Sequence, residues 1–164
     1  MSLLSINIAK DKVLKLNKDG KVVVFTNGCF DIIHKGHTTL LNKARKLGDF
    51  LIVGLNSNES VSNLKGIDRP INSEEKRSEN LLKLDCVDAV VIFNENTPKK
   101  LIADLRPNIL VKGGDYTKEE VIGSQQVVKD GGEIVIIPLV PGYSTTNIIN
   151  TLKEKGLTEG DGTD

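Results

Sequence analysis

The amino-acid sequence predicts an α/β fold in which a five-stranded parallel sheet carries helices on both faces. Short apolar runs rich in β-branched residues recur along the chain, as is typical of strands buried on both faces of a parallel sheet. Stretches with apolar residues at helical spacing separate these runs. The 164 residues are enough for one domain with a substantial core and too few for two ordinary domains.

Five runs are expected to form the strands, and they are residues 22–25, 51–53, 89–93, 109–111 and 134–137. Because helical stretches join consecutive strands, the connections are right-handed crossovers and the fold is a Rossmann-like sandwich. Ligands of such sheets bind outside the carboxyl ends of the strands, where the strand order reverses. Residues 1–20 are expected to form a docking helix, residues 21–155 the main domain and residues 156–164 a flexible tail.

Capping residues mark the ends of the predicted helices. Gly48 is expected to be the left-handed C-cap of the helix that follows the first strand. Asn72 and Glu75 resemble a capping box at the start of the helix before the third strand. Thr97 is expected to be an N-cap, with Pro98 as the first residue of the next helix. These signals support the alternation of strands and helices.

Charge and cysteine content narrow the range of functions. The chain has 22 Lys and Arg and 22 Asp and Glu residues, so its net charge gives no reason to expect nucleic acid or an anionic membrane as a partner. No segment has the long apolar run of a signal peptide or membrane span, which favours a cytoplasmic protein. Cys29 and Cys86 lack the spacing of a zinc site, and we expect neither a disulfide nor a structural metal.

The run TNGCFDIIHKGH, residues 26–37, is the most informative segment of the chain. It follows the first strand and leads into a helix that begins near Lys35, so the helix N-terminus favours an anion at this point. Gly28 is expected to let the backbone approach a ligand closely. His34 and His37 lie on one side of the first helical turn, where both rings can donate hydrogen bonds to the same phosphate. The segment therefore predicts a phosphate site.

Two further groups of residues follow later strands, at the same edge of the predicted sheet. Gly113 and Gly114 leave room for a base or ribose, and Asp115 is able to accept hydrogen bonds from a ligand. Lys112 faces either a substrate phosphate or solvent. Residues 144–146, Ser-Thr-Thr, are expected to cap a last helix, and hydroxyl and N–H groups at a helix N-terminus suit phosphates.

The pattern Gly-x-Phe-Asp-x-x-His-x-Gly-His over residues 28–37 resembles the signature of the cytidylyltransferase-like nucleotidyltransferase superfamily. Residues 65–72, 111–116 and 144–149 carry further motifs of that family in the same order. The combination is most similar to the adenylyltransferase domain that makes ADP-heptose from ATP and heptose 1-phosphate. The resemblance implies an enzyme that transfers AMP to a sugar 1-phosphate, with Mg²⁺ accompanying the ATP, and it implies a homodimer.

The resemblance also assigns roles to individual residues. It implies catalytic roles for His34, His37, Lys65 and Arg77. It implies nucleotide binding by Asn27, Gly28, Cys29, Phe30, Asp31, Gly36, Gly113, Asp115, Ser144, Thr145 and Thr146. The substrate phosphate is assigned to Arg69 and Lys112, with Lys65 and Arg69 on a mobile loop. Asp31 has a second possible role as a helix cap, and no protein residue is assigned to a metal.

Other functions stay open at this stage. An arginine usually precedes the Ser-Thr-Thr segment in cytidylyltransferases, whereas residues 139–141 are Leu-Val-Pro here, which favours ATP over CTP. The alternative is a CTP-dependent enzyme acting on glycerol 3-phosphate or a similar polyol phosphate, and a flavin-nucleotide synthase is a weaker alternative. A binding module that senses adenine nucleotides without chemistry belongs to a different class, because this fold alone does not imply catalysis. The histidine pair favours an enzyme.

Overall fold

The structure, a computed structural model, describes residues 2–138. Its strands are β1 (Ser2–Leu3), β2 (Val23–Gly28), β3 (Phe50–Asn56), β4 (Ala89–Phe93), β5 (Ile109–Gly113) and β6 (Glu133–Ile137). They form one parallel sheet in the order β1-β4-β3-β2-β5-β6. Residues 139–164 lie outside the described residues, and so do the predictions for residues 139–141, 144–146 and 156–164.

Helices cover both faces of the sheet. They are α1 (Ile6–Lys18), α2 (Lys35–Arg45), α3 (Asn58–Lys65), α4 (Glu74–Leu82), α5 (Lys99–Leu105) and α6 (Ser124–Lys129), with a short 3₁₀ helix at Lys118–Glu120. Side chains of α1, α5 and α6 pack with Val23 and Phe25 of β2 in one core. Side chains of α2 and α4 pack with Val24 in the other core. Alternate residues of β2 therefore point to opposite faces, as the apolar run predicts.

The predicted α/β class and its Rossmann-like arrangement are confirmed, but the predicted number of strands is wrong. Six strands are present within residues 2–138, because Ser2–Leu3 adds a short edge strand beside β4. Both residues of β1 are exposed, so they carry no burial pattern that a sequence could reveal. The helix expected over residues 1–20 is therefore shorter than predicted and consists of α1, which buries Ala9 and Val13 against the sheet.

Three predicted helix ends also differ from the structure. Gly48 does not adopt a left-handed conformation; a side chain there would place its Cβ 2.8 Å from the Val22 carbonyl oxygen, so the site needs glycine for close approach. The capping residue of α4 is Ser73 rather than Asn72, because the Ser73 hydroxyl accepts a hydrogen bond from the Lys76 N–H. Pro98 itself is the N-cap of α5, in place of the predicted Thr97.

The strand order reverses between β2 and β5. From β2 the chain continues outward to β3 and β4 on one side, and it returns to β5 and β6 on the other side. In open α/β sheets this reversal leaves a crevice at the carboxyl ends of the two central strands, where ligands bind. Gly28 ends β2 and Gly113 ends β5, so both predicted motifs border this crevice. Within the described part of the chain, no helix is long and apolar enough to cross a membrane.

Candidate active site

The predicted histidine pair forms the start of α2. The helix begins at Lys35, as expected, and His34 is its N-cap. Nδ1 of His34 accepts a hydrogen bond from the Gly36 N–H at 3.1 Å, and Nδ1 of His37 accepts one from the His34 N–H at 3.4 Å. The two rings stack with centroids 3.8 Å apart and planes 23° apart. The prediction that both rings lie on one side of the first turn is confirmed.

The hydrogen bonds to the two histidines also determine which ring nitrogen carries the proton. A backbone N–H donates only to an unprotonated ring nitrogen, so Nδ1 is the acceptor in each ring and Nε2 is the nitrogen that carries a proton. The nitrogen with which either ring can donate to a ligand is therefore Nε2. Two parallel rings at the N-terminus of a helix, each with such a donor, form an arrangement suited to an anion.

The ring of Phe30 packs against the ring of His37. Its backbone has a φ of +47°, which is unusual for a residue with a bulky side chain. The ring is buried and meets the His37 ring edge-on, with centroids 5.1 Å apart. A Cβ at Gly28 would lie 2.8 Å from Cε2 of Phe30. Gly28 thus makes room for the Phe30 ring, whereas the sequence predicted that this room was for a ligand.

Asp31 joins the turn after β2 to the segment between α3 and α4. Its carboxylate accepts hydrogen bonds from Arg69 Nε at 2.9 Å and from the N–H groups of Ile71 and Asn72 at 2.8 Å each. The Asn72 amide donates in return to the Asp31 carbonyl oxygen. The alternative role of Asp31 as the cap of α2 is wrong, because His34 occupies that position.

Arg69 is buried, so the predicted mobile loop is wrong for this residue. Only 1% of its surface is exposed, and its ion pair with Asp31 is fully enclosed. Lys65 is the last residue of α3, a helix that the sequence did not predict because Val61 is its only buried apolar residue. The tip of the connecting segment is open to solvent, since Ile67 is 94% exposed.

Arg77 connects four segments around the site. Its guanidinium donates from Nε to the Asn72 carbonyl at 3.0 Å and from Nη1 to the carbonyls of Cys29 at 2.9 Å and Asn56 at 2.7 Å. Nη2 donates to Oδ1 of Asn58 at 3.0 Å. Burial lowers the pKa of Arg77, with the Asp31 carboxylate opposing that shift. Most of the donors of this side chain are therefore bonded to the protein.

The other predicted site residues within residues 2–138 lie at the carboxyl edge of the sheet. Asn27 is half-buried in β2, Cys29 is buried in the following turn, and Gly36 is buried in the first turn of α2. Lys112 is half-buried near the end of β5, and Asp115 is exposed just beyond it. Because β5 lies beside β2, these two groups face the same crevice edge.

Sequence reasoning missed the residues that connect these segments. Asn58 Oδ1 accepts from the Glu74 N–H at 2.8 Å, and Glu74 Oε1 accepts from the Asn58 N–H at 2.9 Å. The same Asn58 oxygen accepts from Arg77. The two residues lie 16 positions apart, so no helical or strand spacing relates them. The only available signal was the nearby motif over residues 65–72, which contains Asn72.

The family model described as cytidylyltransferase-like matches residues 25–151. The chain is 55% identical over 136 residues to the Bifunctional protein HldE of Syntrophotalea carbinolica, covering 83% of this chain and 28% of that protein. It is 52% identical over 146 residues to the protein of the same name from Campylobacter fetus subsp. fetus, covering 89% of this chain and 31% of that protein. The chain thus spans less than a third of the length of these relatives.

A solved structure supports the fold. It is the crystal structure of the lipopolysaccharide core biosynthesis protein from Thermoplasma volcanium GSS1, with a TM-score of 0.61 and 27% sequence identity. The match covers 74% of this chain and 98% of that one.

Proposed function

The chain belongs to the cytidylyltransferase-like family, and we propose that it transfers AMP from ATP to a heptose 1-phosphate, giving ADP-heptose and pyrophosphate. An oxygen of the sugar phosphate forms a bond to the α-phosphorus of ATP. The bond between that phosphorus and the oxygen bridging to the β-phosphate breaks, and pyrophosphate leaves with its electron pair. The nucleophile is already an anion, so the reaction needs no covalent enzyme intermediate and depends mainly on positioning and charge neutralisation.

The observation that carries this proposal is the stacked pair of His34 and His37 at the start of α2. With both Nδ1 atoms bonded to backbone N–H groups, Nε2 is the nitrogen through which either ring would donate to the α-phosphoryl oxygens on which negative charge builds. The rings are held by the helix cap and by Phe30, so little reorganisation accompanies the reaction. A single preorganised donor of this kind typically contributes about 10²–10³ in kcat.

The choice of substrates rests on similarity. The most informative relatives are named Bifunctional protein HldE, and a structural neighbour is named for lipopolysaccharide core biosynthesis. The motifs in this sequence resemble the ADP-heptose-forming adenylyltransferase domain, and the absence of an arginine at residues 139–141 favours ATP. A homodimer remains a prediction from the same resemblance.

We divide the predicted site residues into two groups. Lys65, Lys112 and residues 144–146 are assigned to phosphate groups of the substrates, because cations and the N-terminus of the predicted last helix favour anions. Arg69 and Arg77 are assigned instead to positioning, because the first is paired with Asp31 and the second with carbonyl groups. The sequence had predicted Arg69 at the substrate phosphate and Arg77 in catalysis.

Mg²⁺ is expected to enter with ATP and to reduce the repulsion between its phosphates. Within residues 2–138, no group of three or more His, Cys, Asp or Glu side chains is placed to hold a metal ion. We assign no protein ligand to Mg²⁺.

Pyrophosphate release tests the proposed function. The assay supplies Mg²⁺, ATP or CTP, and in turn both anomers of heptose 1-phosphate, glycerol 3-phosphate and flavin mononucleotide. We expect release with ATP and one heptose 1-phosphate. Release with CTP and glycerol 3-phosphate would establish the alternative, and release with ATP and flavin mononucleotide would indicate a flavin-nucleotide synthase. ATP binding without release from any pair would indicate a binding module.

Two variants of His37 separate its role as a helix cap from its role as a donor. In His37→Asn the amide lies near the position of Nδ1, so the cap is kept and the donor at Nε2 is lost. In His37→Gln the amide reaches the position of Nε2, so a donor is kept. We expect His37→Asn to lose about 10²–10³ in kcat with ATP affinity retained, and His37→Gln to lose less. Equal losses of kcat in both variants would argue against donation from Nε2.

A further inference from the structure

Tyr116 lies over the ammonium group of Lys112. The Lys112 Nζ is 5.0 Å from the centroid of the Tyr116 ring, within the range of a cation–π interaction. Tyr116 is the last residue of the motif over residues 111–116, but no role was assigned to it from the sequence, and it is 44% exposed. The contact places an aromatic ring beside a cation at the edge of the sheet where the proposed substrates bind.

The conformation of the turn after β5 places the Tyr116 ring close to Lys112. Gly114 has a φ of +128°, a conformation that other residues rarely adopt. A Cβ at Gly114 would lie 2.8 Å from Cε2 of Tyr116, so a side chain there would displace the ring. The Gly114 N–H also donates to the Ile137 carbonyl of β6 at 3.0 Å, which fixes where the turn begins.

The pairing of β5 with β2 places Lys112 near the carboxyl end of the central strands. Phe25 of β2 pairs with Leu110 of β5, and the Thr26 hydroxyl donates to the Val111 carbonyl at 2.9 Å. Lys112 directly follows Val111, and the next residue, Gly113, ends β5. Lys112 and Tyr116 thus lie at the carboxyl end of β5, one of the two strands between which the strand order reverses.

We propose that Tyr116 is a positioning residue that holds the Lys112 ammonium in place for a phosphate group of the bound substrates. A lysine side chain has many rotamers, and ordering it on binding costs affinity. The Tyr116 ring restricts the side chain before the substrate arrives, while leaving the donors of the ammonium able to reach a phosphate. This inference rests on the proposed function, and the phosphate belongs either to ATP or to the sugar phosphate.

Steady-state kinetics with both substrates tests the proposal. We expect Tyr116→Leu to raise the KM for one substrate about twofold to fivefold with kcat nearly unchanged, and Tyr116→Phe to match the unmodified protein. Lys112→Met should raise the same KM by about tenfold or more. Which KM rises identifies the phosphate. In the Lys112→Met background, Tyr116→Leu should have no further effect.

The matched control is a second cation–π pair at the opposite edge of the sheet. Lys12 Nζ lies 5.7 Å from the Phe50 ring centroid, and Phe50 begins β3. Lys12→Met should leave both KM values unchanged. The proposal is overturned if Tyr116→Leu and Tyr116→Phe behave alike, if Tyr116→Leu lowers KM, or if its effect persists in the Lys112→Met background.

A separate measurement distinguishes failure of this inference from failure of the proposed function. In the substrate-free protein, the ring current of Tyr116 should shift the NMR signals of the Lys112 Cε protons upfield, and Tyr116→Leu should abolish that shift. Calorimetric titration with ATP and with heptose 1-phosphate then compares affinities without turnover. If the unmodified protein shows no turnover, the proposed reaction fails. If turnover is present but Tyr116→Leu changes neither affinity nor KM, only the positioning role fails.

Discussion

Replacing Arg77 with methionine tests whether this arginine supports the site or acts on the substrate. Methionine keeps much of the volume but removes the donors to the buried carbonyls of Cys29 and Asn56. Leaving a buried acceptor without its donor costs about 1–3 kcal/mol, so the two together cost about 2–6 kcal/mol. Part of this is offset, because the variant no longer buries a charge whose pKa is lowered by desolvation. We expect a net loss of about 2–4 kcal/mol in the free energy of unfolding.

Urea denaturation and thermal unfolding measure this loss. For a chain of this size, each kcal/mol lost from the free energy of unfolding lowers Tm by about 2–4 °C, so Tm should fall by about 4–16 °C. Arg77→Lys should recover part of it, since an ammonium group donates to some of the same carbonyls. The control is Arg106→Met, which removes an exposed arginine with one 3.4 Å ion pair and should not change Tm measurably.

Kinetics on the same variants complete the test. If Arg77 only positions the ends of β2 and β3, kcat/KM should fall together with stability and recover partly in Arg77→Lys. A variant Arg77→Met that keeps its Tm but loses more than about 10²-fold in kcat would refute this reasoning, because it would show a direct contribution to the transition state.

Two further predictions concern buried ionisable groups. Asp31→Asn leaves Arg69 buried without its carboxylate, so the free energy of unfolding measured in urea should fall by about 3–5 kcal/mol. The double variant Asp31→Leu with Arg69→Met removes both charges and should regain part of this loss. A double variant that regains no stability would contradict the pairing. Burial raises the pKa of the Cys86 thiol above its ordinary 9.0. Its native state therefore keeps a proton that the unfolded state loses, so the free energy of unfolding should decline as pH rises above about 9, and less steeply in Cys86→Ala. Parallel pH dependences in the two proteins would show that Cys86 does not contribute.

The parts of the fold that depend on local patterns could be predicted from the sequence. The apolar runs before Gly28 and Gly113 are strands, and the helix after the histidine run begins at Lys35. Strand alternation alone then places those two motifs at one edge of the sheet. Burial on both faces is why these runs were recognisable, since it leaves a continuous apolar signal.

The contacts that hold the site could not be predicted, because they join residues far apart in the chain. Arg69 reaches Asp31 across 38 positions, and Arg77 reaches Cys29 across 48. A lysine or arginine near a phosphate motif favours a ligand contact on composition alone, and nothing local indicates that its donors are satisfied by carbonyls. The strand β1 and the helix α3 were missed for a related reason, since neither has an apolar periodicity of its own.

The placement of charge in this site follows from the kind of catalysis that we propose. A transfer that proceeds without a covalent intermediate is accelerated mainly by fixed geometry. The positions of the histidine rings depend on the position of the turn that carries them. That turn contains Asp31 and the Cys29 carbonyl, and each is bonded to a buried arginine from a different segment. Charge-assisted hydrogen bonds in a low-dielectric interior are strong and directional, so they hold the turn against the ends of the neighbouring elements. In the proposed reaction, we therefore expect the buried arginines to act through the position of His34 and His37.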